Sequence, residues 1–88
     1  MSKYYLTNKA VDDLTEIWNY TYVEWSEQQA DRYYQSLISD CEEISKNQKI
    51  GKNYTEITPS LFGLCSTKHI IFYRIISSNE VEITRILH

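Results

Sequence analysis

Chain breakers are nearly missing: there is one proline, Pro59, and there are two glycines, Gly51 and Gly63, in 88 residues. So few of them exclude a collagen-like or low-complexity segment and point to regular elements packed as one domain, which is all that this length supports. Cysteine is scarce as well, with Cys41 and Cys65 alone. A small secreted scaffold carries more, in pairs. No Cys-x-x-Cys or close Cys/His cluster supplies the four ligands of a structural zinc. Both cysteines therefore read as reduced thiols, Cys41 as a core filler, and no metal or other cofactor is expected. No apolar run approaches the roughly 20 residues that a bilayer span requires. Residues 1–6 lack the apolar stretch of a secretory leader, so the expected compartment is the cytoplasm. Nucleophile motifs, phosphate loops and carboxylate–histidine dyads are missing too.

What is present is aromatic and unevenly charged. Two Trp, eight Tyr and two Phe make 14% of the chain, and hydrophobic residues 42%, enough for one modest core. The net charge of −3 hides an asymmetry. Residues 1–45 carry three bases against nine acids, and residues 46–88 six bases against three acids. Such a split marks a surface that meets a partner of defined charge, or simply a solvated acidic helix face.

Two hydrophobic periods divide the chain. Tyr4-Tyr5-Leu6 is a short strand pattern, and Thr7 or Asn8 can cap the start of a helix. Ala10, Leu14, Ile17, Trp18, Thr21 and Trp25 fall on one face of that helix, over 8–25, with Asp12, Asp13 and Glu16 in its early turns, where the helix dipole favours acids. Ser26 and Gln29 match a capping box opening a second helix over 27–45. Its stripe is Ala30, Tyr33, Tyr34, Leu37, Ile38, Cys41 and Ile44. So little separates the two that they should form an antiparallel hairpin. Residues 46–60 read as a long polar connection. The period then becomes that of strands over 61–66, 70–76 and 81–87, with a turn at Ser77-Ser78-Asn79. The expected architecture is α+β, in the order β-α-α-β-β-β, with a helix hairpin on one face of an antiparallel sheet.

Three stretches carry a resemblance that covers nearly the whole chain. They are residues 5–20, residues 25–34, and Lys68-His69-Ile70-Ile71-Phe72-Tyr73-Arg74 followed by Val81-Glu82-Ile83-Thr84-Arg85-Ile86-Leu87-His88. The last is the most specific, because H-x-x-F-Y-R and R-I-L-H at this spacing are rare together. The chain resembles the RelE/ParE toxin superfamily and, within it, the ParE branch. Two departures stand out. Gly63-Leu64-Cys65 replaces the family's usual Gly-Leu-Arg, and the family usually continues past R-I-L-H. The resemblance implies the toxin of a type II toxin–antitoxin pair, associated with plasmid stabilisation. It would poison DNA gyrase without being an enzyme, and a cognate ParD-like antitoxin would silence it in a hetero-oligomer. Neither a membrane nor a specific nucleic-acid sequence is implied as partner. The alternatives are a ribosome-dependent mRNA endoribonuclease of the RelE kind, or an attenuated or truncated family member.

Residues that could carry cleavage chemistry are His69, Tyr73, Arg74, Arg85 and His88, since 2′-hydroxyl attack needs a base, an acid and cations. Each has a plainer reading. Tyr73 suits a core tyrosine with a satisfied hydroxyl. Arg74 suits a cross-strand pair with Glu82, and His69 a cap at a strand start. Arg85 and His88, three apart, should not share a sheet face. For an antitoxin, the expected contacts are Trp18 and Tyr22, four apart on the first helix, with the cations Lys46, Lys49, Lys52, Arg74 and Arg85 for an acidic segment.

Overall fold

The computed structural model describes residues 1–88. In chain order the elements are β1 (Lys3–Leu6), α1 (Asn8–Glu24), α2 (Glu27–Lys46), β2 (Lys52–Asn53), β3 (Leu61–Ser66), β4 (His69–Ser77) and β5 (Glu80–Leu87). One five-stranded sheet runs β1-β5-β4-β3-β2. The last four strands are antiparallel neighbours, as their short links require. β1 lies parallel to β5, so the sheet is mixed rather than purely antiparallel. The connection expected over 46–60 also holds the two-residue strand β2, too short to leave a periodic signal.

Caps set the helix starts. Thr7 Oγ1 accepts the Ala10 N–H at 3.1 Å, and Ser26 Oγ accepts the Gln29 N–H at 3.0 Å. The helix stripes and the alternating strand residues then meet in one core: Ala10 and Leu14 from α1, Leu37, Cys41 and Ile44 from α2, Ile71 and Tyr73 from β4, and Val81, Ile83 and Ile86 from β5. Each large apolar side chain buried there contributes about 1.5–3 kcal/mol. Ile83 and Ile86 are three apart yet both point inward, because the β4–β5 register shifts between Phe72 and Tyr73. That bulge adds one residue to β5 and resets its alternation.

Three expectations need correction. Trp25, placed on the buried stripe, caps the end of α1 and is 73% exposed. Tyr34 also lies largely outside the core. Asp13, assigned to a dipole position, is buried instead. Tyr73 is fully buried as expected, its hydroxyl donating to the Gln48 carbonyl at 2.6 Å and accepting the Gly51 N–H at 3.0 Å. One core residue thus anchors the start of the long connection. Cys41 is buried and its thiol pKa is pushed up to about 12 by burial and by Asp40 and Glu42, which makes it inert; Cys65 is exposed. No helix is long and apolar enough to cross a membrane.

Candidate functional site

β1 is shorter than β5, and this mismatch creates the site. β1 pairs with residues 80–83, and Thr7 extends the match with its N–H on the Ile83 carbonyl and its hydroxyl on the Thr84 carbonyl. Beyond Thr84 the outer edge of β5 has no neighbouring strand. An open groove of about 700 Å³ lies there, between α1, the α1–α2 turn, the β3–β4 hairpin and the end of β5. Ile17, Tyr20 and Trp25 give it an apolar wall, and Lys68, His69, Arg85 and His88 line the rest.

Asp13 holds the groove's inner end. Its Oδ2 accepts the Ile86 N–H at 2.9 Å and Arg85 Nε–H at 2.8 Å, while Oδ1 accepts Arg85 Nη2–H at 3.0 Å. The carboxylate thus takes the backbone donor that a neighbouring strand would have taken, and it forms a two-pronged pair with a guanidinium. Burial pushes its pKa up, but the Arg85 and Ile86 hydrogen bonds and the charges of Arg85 and Lys9 outweigh that and hold it below the ordinary carboxylate value.

At the outer end three short contacts define a histidine. Thr67 Oγ1 lies 2.6 Å from the Ser66 carbonyl and 2.6 Å from the Tyr33 hydroxyl, which in turn lies 2.7 Å from His69 Nδ1. Thr67 Oγ1–H donates to the Tyr33 hydroxyl, which also accepts the Lys68 N–H at 3.4 Å and is hydrogen-bonded to His69 Nδ1. The His69 pKa is lowered by burial and by His88. Thr67 adopts φ 54, in the left-handed region that a β-branched residue rarely occupies, so the turn beside His69 is held under strain. His88 meets His69 edge-on, ring centres 5.4 Å apart.

The structure therefore brings His69, Arg85 and His88 into one groove and leaves Tyr73 and Arg74 out of it. Tyr73 is in the core, and Arg74 lies exposed with its guanidinium 3.9 Å from Glu82. Arg85 and His88 line the same groove despite strand alternation, because the edge beside Arg85 carries no strand and its side chain crosses to α1. The residues named for an antitoxin are dispersed. Trp18 and Tyr22 stack at 5.2 Å on the helix hairpin, where Trp18 Nε1–H donates to Asp31. Lys46 ends α2 beside β1, Lys49 and Lys52 come after it, and Arg85 is already engaged by Asp13. Sequence reasoning missed Asp13, Tyr33, Thr67 and Lys68. Only an acid on an otherwise apolar stripe, Asp13 beside Ala10 and Leu14, gave a usable signal. No three His, Cys, Asp or Glu side chains converge as a metal cage would require.

The family model described as the ParE toxin of the type II toxin–antitoxin system, parDE, matches residues 4–88. Toxin ParE1 of Mycobacterium tuberculosis (strain CDC 1551 / Oshkosh) is 33% identical over 87 residues, 99% of this chain and 89% of that protein. Toxin ParE1 of Caulobacter vibrioides is 32% identical over 88 residues, covering 100% of this chain and 90% of its own length. A solved chain described as the chromosomal ParDE system from P. aeruginosa shares the fold at TM-score 0.82 and 22% identity, covering 100% of this chain and 96% of that one. A matched family model over almost every residue, two relatives above 30% identity and a common fold agree, and the chain belongs to the ParE toxin family of type II toxin–antitoxin systems.

Proposed function

We propose that this protein is a cytoplasmic toxin that poisons DNA gyrase without acting as an enzyme and is silenced by a cognate antitoxin bound in the groove beside β5. The carrying observation is that the family match spans residues 4–88; gyrase as target rests on the resemblance to the ParE branch. The groove suits a partner segment, with exposed Tyr20 and Trp25 as anchors on its apolar wall. Because Asp13 already occupies the Ile86 N–H, docking by side chains of a helical or irregular segment is favoured at that point over addition of a strand. Trp18, Tyr22, Lys46, Lys49 and Arg74 lie on other surfaces, within reach only of an antitoxin that wraps the toxin.

A ribosome-dependent ribonuclease is the second reading, and one observation favours it: His69, His88, Lys68 and Arg85 share the groove. One experiment separates the two. Purified protein is added to gyrase with relaxed plasmid and, separately, to programmed ribosomes. Loss of supercoiling with intact mRNA supports the gyrase poison. Codon-phased cuts that vanish in His69→Ala, with supercoiling untouched, would transfer the function to the ribonuclease.

A further inference from the structure

The β3–β4 turn is held to α2 through one imidazole. Thr67 Oγ1–H and the Lys68 N–H both donate to the Tyr33 hydroxyl oxygen, at 2.6 Å and 3.4 Å. A hydroxyl has two lone pairs to accept with and one proton to give. Both lone pairs are taken, so the Tyr33 proton goes to the remaining partner, His69 Nδ1 at 2.7 Å. Nδ1 is therefore the bare acceptor, and the ring proton of the neutral imidazole sits on Nε2. The chain of donors runs one way, from the turn through Tyr33 to His69. It holds Thr67 at φ 54, where a β-branched residue is strained.

We propose that His69 is a pH-operated latch: neutral, it ties the β3–β4 turn to α2 through Tyr33, and protonated, it releases that turn from the side of the groove. Protonation turns Nδ1 from an acceptor into a donor. The Tyr33 proton then faces an N–H, and the Tyr33 oxygen has no lone pair for that N–H while Thr67 and Lys68 occupy it. One of these hydrogen bonds has to break, and the strained turn is the part that relaxes. The surroundings oppose the charge as well. Burial first, and then the His88 imidazole, edge-on at 5.4 Å, hold His69 below the ordinary value of 6.5. Lys68 and Arg85 add positive charge to the same lining, and Tyr20 completes its titratable groups. The acids nearby are engaged elsewhere: Asp13 with Arg85 and Ile86, Glu16 with the charge of Arg85, and Asp40 of α2 with Ser66. With its folded pKa lowered, neutral His69 gives stability that is present above about pH 6.5 and lost as pH falls below it. A segment bound along the groove is then held less firmly in mild acid, a consequence that rests on the function proposed above, whereas the latch itself does not.

The test is an NMR titration of the full chain from neutral to mildly acid pH. It follows both imidazoles and the amides of Thr67 and Lys68, with the two rings told apart by His88→Gln. At neutral pH the ring nitrogen shifts should place the His69 proton on Nε2. His69 should then titrate below 6.5, and the two turn amides should shift with the same midpoint. Tyr33→Phe keeps the ring and removes the hydroxyl, so it should raise the His69 midpoint and uncouple the turn amides from it. His88→Gln should raise the midpoint and leave the amides coupled, a contrast that a merely packed histidine would not show. A neutral-pH proton on Nδ1, a midpoint at or above the ordinary value, turn amides that ignore the titration, or a midpoint unchanged in Tyr33→Phe would each overturn the latch. The first three readings come from the unaltered protein, so they stand even where a variant fails to fold. None depends on gyrase or on an antitoxin, so failure of the latch and failure of the proposed function are separate results.

Discussion

Asp13 shows how one side chain can stand in for a strand. Its carboxylate satisfies a β5 backbone donor and a guanidinium at once, so Asp13→Ala strips both and should cost about 2–3 kcal/mol in urea denaturation. Asp13→Asn keeps an acceptor for Ile86 N–H and should cost less. The lowered folded pKa also makes stability depend on pH. Between the ordinary value of 3.8 and the lower folded value, the unfolded chain binds more protons. The stabilisation is therefore fully present above about pH 4 and is lost as pH falls through that window. Acid unfolding curves of Asp13→Asn should lack this component. Tyr73 is the second such residue. Tyr73→Phe leaves the ring in place but removes its hydrogen bonds to Gln48 and Gly51, and thermal unfolding should report a loss of about 2 kcal/mol.

Among the elements, the edge next to β2 is the most tightly constrained. A Cβ added at Gly51 would lie 2.8 Å from the Gly63 carbonyl oxygen and 2.8 Å from the buried Tyr73 hydroxyl, neither of which can move freely. At Gly63 the added carbon would meet only side chains, the Tyr54 ring at 2.7 Å and Ile70 Cγ2 at 3.0 Å, and no backbone atom. Gly51→Ala should therefore be clearly more destabilising than Gly63→Ala, by about 1–3 kcal/mol as an overpacking clash. Equal denaturation midpoints for the two would contradict this account. Hairpin α1–α2 and strands β3 to β5 were legible from periodicity and caps, because each element's own residues carry its signal. β2 and the parallel placement of β1 were not. The first is two residues long, and the second depends on how the helix hairpin returns the chain across the sheet.

For the molecule as a whole, charge and groove separate partner binding from stability. Arg74 and Glu82 are 3.9 Å apart and well exposed, a geometry worth little in water. Arg74→Glu sets two exposed carboxylates opposite one another and should cost only about 0.2–1 kcal/mol. Arg85→Glu should destabilise more, by placing a second carboxylate against the buried Asp13. Trp25→Ala, at a residue 73% exposed, should be neutral for stability. If the antitoxin fills the groove, calorimetry against it should nonetheless show Trp25→Ala weakening the complex, with a loss that persists at high salt. The loss from Arg74→Glu, where present, should fade as salt rises. An antitoxin that binds Trp25→Ala as tightly as the parent protein does not use this groove.

The sequence by itself determined the element order, the stripes that build the core and the family. All three are written in local residue order: helix-spaced apolar residues, capping side chains, and the paired stretches H-x-x-F-Y-R and R-I-L-H. Only the tertiary structure decided which of the suspected residues act together. Tyr73 went to the core and Arg74 to solvent through strand alternation, which was foreseeable. Joining Asp13 to Arg85 across 72 residues, and Tyr33 to His69 across 36, required knowing that β5 outruns β1 and that α2 begins above the β3–β4 turn. Such contacts arise from the relative lengths of elements far apart in the chain, a quantity that no local pattern encodes.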